Sequence, residues 1–200
     1  MSKIRLIFQQ ASEVVGNVNE GLLVLTDSYQ ERQIVITCGE PLLSEFKSRV
    51  VKRNTNSGLA DILMNIIMHQ TNLSLAIEIT DVVKGSYDAV LTNEDTLAQI
   101  RIGGVEAVLL NKMSKDKIPL YIDEKLFLQQ SSVYNMKAQG VSLPINALSV
   151  PMLQKTLDKA VSLENYELAS QLRDELKKRL QSSSTISVND NELGDKQQKS

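Results

Sequence analysis

Cysteine and histidine are almost missing from this chain, and their scarcity removes whole classes of chemistry. Cys38 is the single cysteine in 200 residues, so a disulfide framework within the chain is excluded. It follows the run Ile34, Val35 and Ile36, where a small buried residue at a strand end is expected. His69 is the single histidine. With no second histidine or cysteine beside it, neither a structural zinc site nor a Cys-His nucleophilic pair has the material it needs. Hard ions ask only for oxygen, so a carboxylate-held magnesium or another divalent cation stays open.

Neither sign of charge predominates. The 22 Lys and Arg against 24 Asp and Glu leave a formal charge of -2, and no global field draws the chain onto nucleic acid or an anionic membrane. A nucleic-acid contact must therefore be local. The densest basic stretch, Lys47, Arg49, Lys52 and Arg53, has no aromatic residues interleaved to stack bases. It reads first as a solvated helix end, with Lys47 and Arg49 as the candidates for touching backbone phosphates. The opening residues lack the apolar core and cleavage site of a secretory signal, and no apolar run approaches the ~18 residues that span a bilayer. A reducing cytoplasm and no membrane partner are the expectation. Phosphate-binding glycine loops, dinucleotide fingerprints and serine elbows are missing as well.

What is present suffices for one core and a small appendage, since 42% of the residues are apolar. Ile4, Leu6 and Phe8 alternate over residues 3 to 8 as in a half-buried strand. The runs 22 to 25 and 34 to 36 flank a polar turn and form a plausible antiparallel pair. Gly39, Glu40 and Pro41 turn into a helix. From 58 to 69, Leu59, Ile62, Leu63, Ile66 and Ile67 recur at helical spacing and form one apolar stripe, widened by Met64 and Met68.

Strands are expected over 73 to 80, 86 to 92 and 97 to 102, then a helix buried through Val105, Val108, Leu109 and Met113. An extended piece at 119 to 122 follows, and Asp123 can cap a short helix with Leu126 and Phe127. The predicted class is α+β, with a mixed or antiparallel sheet and packed helices over residues 1 to 130. Residues 131 to 149 have no sustained period and read as a linker or docking loop. The polar stretch 181 to 200 reads as a disordered tail.

Between them lies a helix pair. Ser149 and Pro151 fit an N-cap and early helical proline, and Leu153, Leu157, Ala160 and Val161 line one face. After a break near Leu163 to Asn165, Leu168, Ala169, Leu172, Leu176 and Leu180 recur at three- and four-residue steps. So short a connection forces an antiparallel hairpin over 150 to 180. Two short helices bury little area of their own, so the hairpin must dock on its own core or meet another chain.

The residues Leu163-Glu164-Asn165-Tyr166-Glu167-Leu168-Ala169 and Leu172-Arg173-Asp174-Glu175-Leu176 closely resemble the UVR motif, shared by the B and C subunits of bacterial excision nucleases and by unrelated carriers. In that family the motif is a protein-protein contact element. The resemblance implies a UVR-containing or other protein partner, with Leu153, Leu157, Tyr166, Ala169, Leu172, Arg173 and Leu176 as interaction residues.

Residues 3 to about 130 also resemble the bifunctional nuclease family, chiefly through Ile118-Pro119-Leu120-Tyr121-Ile122-Asp123-Glu124-Lys125-Leu126. That resemblance implies a homo-oligomer with nuclease activity on DNA or RNA. The family's arginine-proline-serine-aspartate-alanine signature falls on Gly103-Gly104-Val105-Glu106-Ala107, and its threonine-histidine-aspartate on Leu59-Ala60-Asp61. Each polar cluster is reduced to a single carboxylate. If hydrolysis persists, Asp61 and Glu106 are its catalytic and metal-holding candidates, because a phosphodiester needs an activated water and compensation for phosphoryl charge. Asp81 and Asp88, beside a strand turn, are further oxygen donors. The alternative is a catalytically degenerate scaffold that works through oligomerisation and recruitment.

Overall fold

The computed structural model describes residues 2–14, 17–51, 58–135 and 144–192. The chain divides into two compact units, Met1–Ala147 and Leu148–Ser200. The first is the expected α+β body, and the second is the helical pair.

Two sheets make the first unit. One holds β1 (Lys3–Arg5), β5 (Leu75–Val83), β6 (Ser86–Asn93), β7 (Gln99–Gly103) and β8 (Leu120–Asp123) in the order β1-β8-β5-β6-β7. It is mixed, because β5 and β8 run parallel while the other pairs are antiparallel. The second sheet is antiparallel, β2 (Ile7–Val14), β3 (Asn17–Thr26), β4 (Arg32–Gly39) and β9 (Ser132–Val133) in that order.

The alternation over residues 3 to 8, which reads as one strand, is shared between the sheets. β1 pairs with β8, β2 pairs with β3, and the buried Leu6 between them donates its N–H to the Leu120 carbonyl at 2.8 Å. Strand β3 carries Leu22 to Leu25, all buried, against buried Ile34 to Ile36 of β4. Successive side chains point to opposite faces, so both faces of this strand pair are covered. Double coverage accounts for continuous apolar runs in place of alternation.

Ile77 and Ile79 of β5, Leu120 and Ile122 of β8, and Leu23, Leu25, Ile34 and Ile36 form one core with Phe46 of α1 (Glu40–Val51) and Ala107 and Val108 of α3 (Gly104–Met113). Cys38 sits buried near the end of β4, as its sequence context predicts, and burial pushes its thiol up to about 11 against weaker opposing effects of Gly21 and Lys47. Asp123 caps α4 (Glu124–Gln130) by accepting from the N–H groups of Lys125 and Leu126. Upstream, buried Asn111 donates to the Ile118 carbonyl at 2.8 Å and Ser114 accepts from the Ile118 N–H at 3.0 Å, which fixes the entry to β8.

Two expectations change. Residues 131 to 149 are not wholly outside the first unit: β9 pairs with β4, and Ala147, in the 3-10 turn Ile145–Ala147, is buried in the core. The apolar residues near this segment's end thus anchor it. Residues 136–143 of that stretch lie outside the described residues. The second correction concerns α2 (Leu59–Gln70), which buries Met64 and packs Met68 on the core, while Leu59, Ile62, Leu63 and Ile66 face outward. The helix is seated through Met64 and Met68, on the face that also carries Asp61 with its ion pair to Arg49 of α1.

Tyr87 of β6 is buried, and its hydroxyl finds no hydrogen-bond partner among the described residues. Desolvation raises its pKa. A buried donor without a partner keeps its full desolvation cost, so Tyr87→Phe is expected to raise stability by about 1 kcal/mol. Urea unfolding monitored by circular dichroism checks it; a lower midpoint would mean that the hydroxyl is satisfied.

Candidate functional site

Helix α5 (Val150–Ser162) and helix α6 (Tyr166–Glu192) pack on each other across the turn that separates them. The Ser149 side chain accepts from the Met152 N–H at 3.3 Å, and Pro151 lies in the first turn, where its missing N–H leaves no helical bond unmade. At the other end Leu163 donates its N–H to the Lys159 carbonyl and Asn165 to the Ala160 carbonyl at 2.9 Å, around Glu164 at φ 56. That is a left-handed helix stop made without glycine. The Asn165 side chain then caps α6 by accepting from the Leu168 N–H at 3.2 Å.

Of the residues predicted for interaction, Leu153, Ala169 and Leu172 are buried, Leu157 and Leu176 are half-buried, and Tyr166 and Arg173 are exposed. The first group belongs to the hairpin's own packing, with Ala160 and Ala169 near the turn permitting close helix approach. Exposed apolar side chains lie at both ends of the hairpin, Val150 and Leu180 at one and a group of three at the turn. Leu163 and Tyr166 are each 68% exposed, with exposed Val161 before them.

Arg179 does not stand out by sequence pattern, yet it is a buried cation of this unit. Its Nη1 donates to the Leu148 carbonyl at 2.6 Å and its Nε to Glu175 Oε1 at 2.8 Å. The signal was available as Glu175 four residues before Arg179 on one face, but periodicity alone does not say that such a pair is buried. Helix α6 also runs to Glu192, past the boundary expected at 180, so the stretch from 181 is helical that far.

The carboxylate candidates lie in the first unit. Asp61, in the first turn of α2, accepts from Arg49 Nη1 at 2.5 Å, and Arg49 also holds Glu45 at 2.7 Å. Two sequence-predicted residues are thereby brought together in an arrangement of their own. Burial works to lower the Arg49 pKa, but the bonds to Glu45 and Asp61 outweigh it and the net shift is upward. Glu106 lies in the first turn of α3. Lys47 is on α1 with Arg49, whereas Lys52 and Arg53 lie outside the described residues. Asp81 and Asp88 are cross-strand partners on β5 and β6, both exposed, and Asp81 accepts from the Val82 N–H.

Among the described residues no group of three or more His, Cys, Asp and Glu is placed to hold a metal ion. A divalent ion at Asp61 would compete with a guanidinium already seated on its carboxylate, and a phosphate at Arg49 would compete with two carboxylates. These residues as arranged do not fit a metal-and-phosphate centre. No helix among the described residues is long and apolar enough to cross a membrane.

Residues 152–178 match the family model described as UvrB/uvrC motif. The match covers the hairpin and does not extend into the α+β unit. No curated protein matches the chain.

Proposed function

We propose that the chain is an interaction protein in which the α+β unit carries a UVR-type hairpin, and that the hairpin takes a second hairpin of the same motif from another protein. The observation that carries this reading is the division of labour in the motif. Leu153, Ala160, Ala169 and Leu172 are buried, while Val161, Leu163 and Tyr166 stand exposed around the turn. Exposed tyrosine beside aliphatic side chains is the composition of an interface core.

Binding of a labelled peptide carrying the UVR hairpin of an excision nuclease subunit tests the reading with the full chain. Dissociation in the micromolar range, weakened at least about tenfold by Leu163→Glu or Tyr166→Ser, is the expected result, since each removes an anchor worth about 1 to 2 kcal/mol. Absence of binding by the parent chain, or equal binding by both variants, sinks it.

The second reading, a divergent nuclease acting on DNA or RNA with magnesium, rests on the resemblance of the first unit and on Asp61 and Glu106. The ion pairing of Asp61 with Arg49 weighs against it, because a nuclease centre needs that carboxylate and that cation free to meet ion and phosphate. It expects divalent-dependent cleavage of single-stranded DNA that disappears in both Asp61→Asn and Glu106→Gln. The hairpin reading alone expects no such cleavage.

A further inference from the structure

The inner face of the five-stranded sheet ends before its apolar residues do. Ile77 of β5, Leu91 of β6 and Ile100 of β7 are cross-strand neighbours on one face. Along that row burial falls from complete at Ile77 to partial at Leu91, and Ile100 is 61% exposed. The next row, Ile79, Ala89 and Ile102, stays on the core. β7 is an edge strand: among the described residues it pairs with β6 alone.

The ladder defines which groups that edge leaves free. The Asn93 N–H donates to the Ala98 carbonyl at 2.9 Å, and antiparallel strands bond at every second pair. Leu91 with Ile100 and Ala89 with Ile102 are therefore the bonded pairs of β6 and β7. The N–H and C=O groups of Gln99 and Arg101 point away from the sheet, and both residues are exposed. The Arg101 side chain lies on the face opposite Ile100, and no carboxylate pairs with it among the described residues. The other edge of the sheet differs. β1 is 3 residues long, its Ile4 is half-buried, and Lys3 is tied to Glu78 at 2.6 Å.

We propose that β7 accepts an extended segment of another protein as a further strand, and that this segment carries an apolar side chain opposite Ile100 and a carboxylate opposite Arg101. Each part of the occupant answers to a separate feature. Unpaired N–H and C=O groups at alternate residues are met by extended backbone and not by a helix, whose own groups are used internally. Ile100 asks for a nonpolar residue on the inner face. Arg101 asks for an acid on the outer one, since opposite charges across a strand pair attract and like charges repel. A second copy of β7 supplies no such acid, because Gln99–Gly103 contains no carboxylate, and it brings another arginine to the contact. A cation on an edge strand thereby discourages self-pairing while admitting an acidic strand. This contact is independent of the hairpin and of what the hairpin binds.

Fluorescence anisotropy with the full chain tests it. The probe is a short labelled peptide of alternating valine and threonine in which one central threonine is replaced by glutamate, and its counterpart carries lysine there. Dissociation of the glutamate peptide at about 10 to 100 μM is expected of so small a contact, and the lysine peptide binds about fivefold more weakly. Arg101→Glu reverses the order of the two peptides, with an unchanged circular dichroism spectrum because the side chain is exposed. Methylating the peptide nitrogens that face β7 abolishes binding, whereas methylating those on the other side does not. Leu163→Glu, which breaks the hairpin contact, leaves peptide binding intact. No binding of the glutamate peptide by the parent chain, equal binding of the two peptides, an order that survives Arg101→Glu, or indifference to which nitrogens are methylated overturns the proposal. Loss of binding in Leu163→Glu would overturn it too, by placing the peptide on the hairpin. A parent chain that sediments as a dimer and becomes monomeric on adding the peptide would assign the edge to a second copy, with the same result for the proposal.

Discussion

Gly104→Ala is expected to destabilise the α+β unit by about 3 kcal/mol, the upper end of what overpacking a tight contact costs. A methyl group at this position would lie 2.6 Å from the Tyr87 Cβ and 3.1 Å from the Tyr87 carbonyl oxygen. Neither atom belongs to the free end of a side chain, so the strain cannot be relieved by a rotamer change. Relief needs α3 to move away from β6, and α3 carries Ala107 and Val108 in the core. Tyr87→Phe does not rescue the variant, because the clash is with atoms that phenylalanine shares. The neighbouring Gly103→Ala is the contrast: its nearest obstacle is the Glu106 carboxylate, a flexible group that can swing aside. Chemical unfolding of the three variants checks the order. A loss below about 0.5 kcal/mol for Gly104→Ala would mean that the helix-to-strand approach is slack.

Gly104 is thus held by close packing on Tyr87, and a larger residue there could not be accommodated without repacking β6.

Local chemistry was legible in the sequence. The caps at Asp123 and Ser149, the helix stop near Leu163, the alternation through Ile77 and Ile79, and the buried Cys38 each depend on a few adjacent residues. What was not legible depended on the rest of the chain. Leu59, Ile62, Leu63 and Ile66 announce an amphipathic helix, but the period cannot say which face the body covers, and it is Met64 and Met68 that meet the core. Residues 3 to 8 look like one strand because alternation continues through Leu6, although the hydrogen-bond partners change sheet there. The same holds for the candidate centre. Asp61 and Arg49 read separately, as a metal ligand and a phosphate contact, and only their placement shows that the two pair with each other. In the hairpin the leucine pattern found Leu153 and Leu172 and the motif pointed to Tyr166, whereas Val161 and Leu180, which periodicity places on the packed faces, are exposed.

Arg179→Ala is expected to cost the hairpin about 3 kcal/mol and to loosen the start of α5 before any other part of it. The guanidinium is 5% exposed and bridges two groups that would otherwise be left without it, the Leu148 carbonyl at the entry to α5 and the Glu175 carboxylate one turn back on α6. Removal strands a backbone acceptor and a partly buried acid together, and those losses exceed the value of an exposed ion pair. Arg179→Lys should recover only part of the loss, because one ammonium cannot reproduce a fork aimed at two acceptors. Arg173→Ala, on an exposed position of the same helix, should change stability by less than about 0.5 kcal/mol. Amide hydrogen exchange in the full chain separates these cases: faster exchange at Met152 and Leu153 in Arg179→Ala, with Ile77 and Ile79 in β5 unchanged, is the expected pattern. Uniform acceleration across both units would mean that Arg179 supports the whole chain, and unaltered exchange at α5 would remove the clamp from the account of how the hairpin is closed.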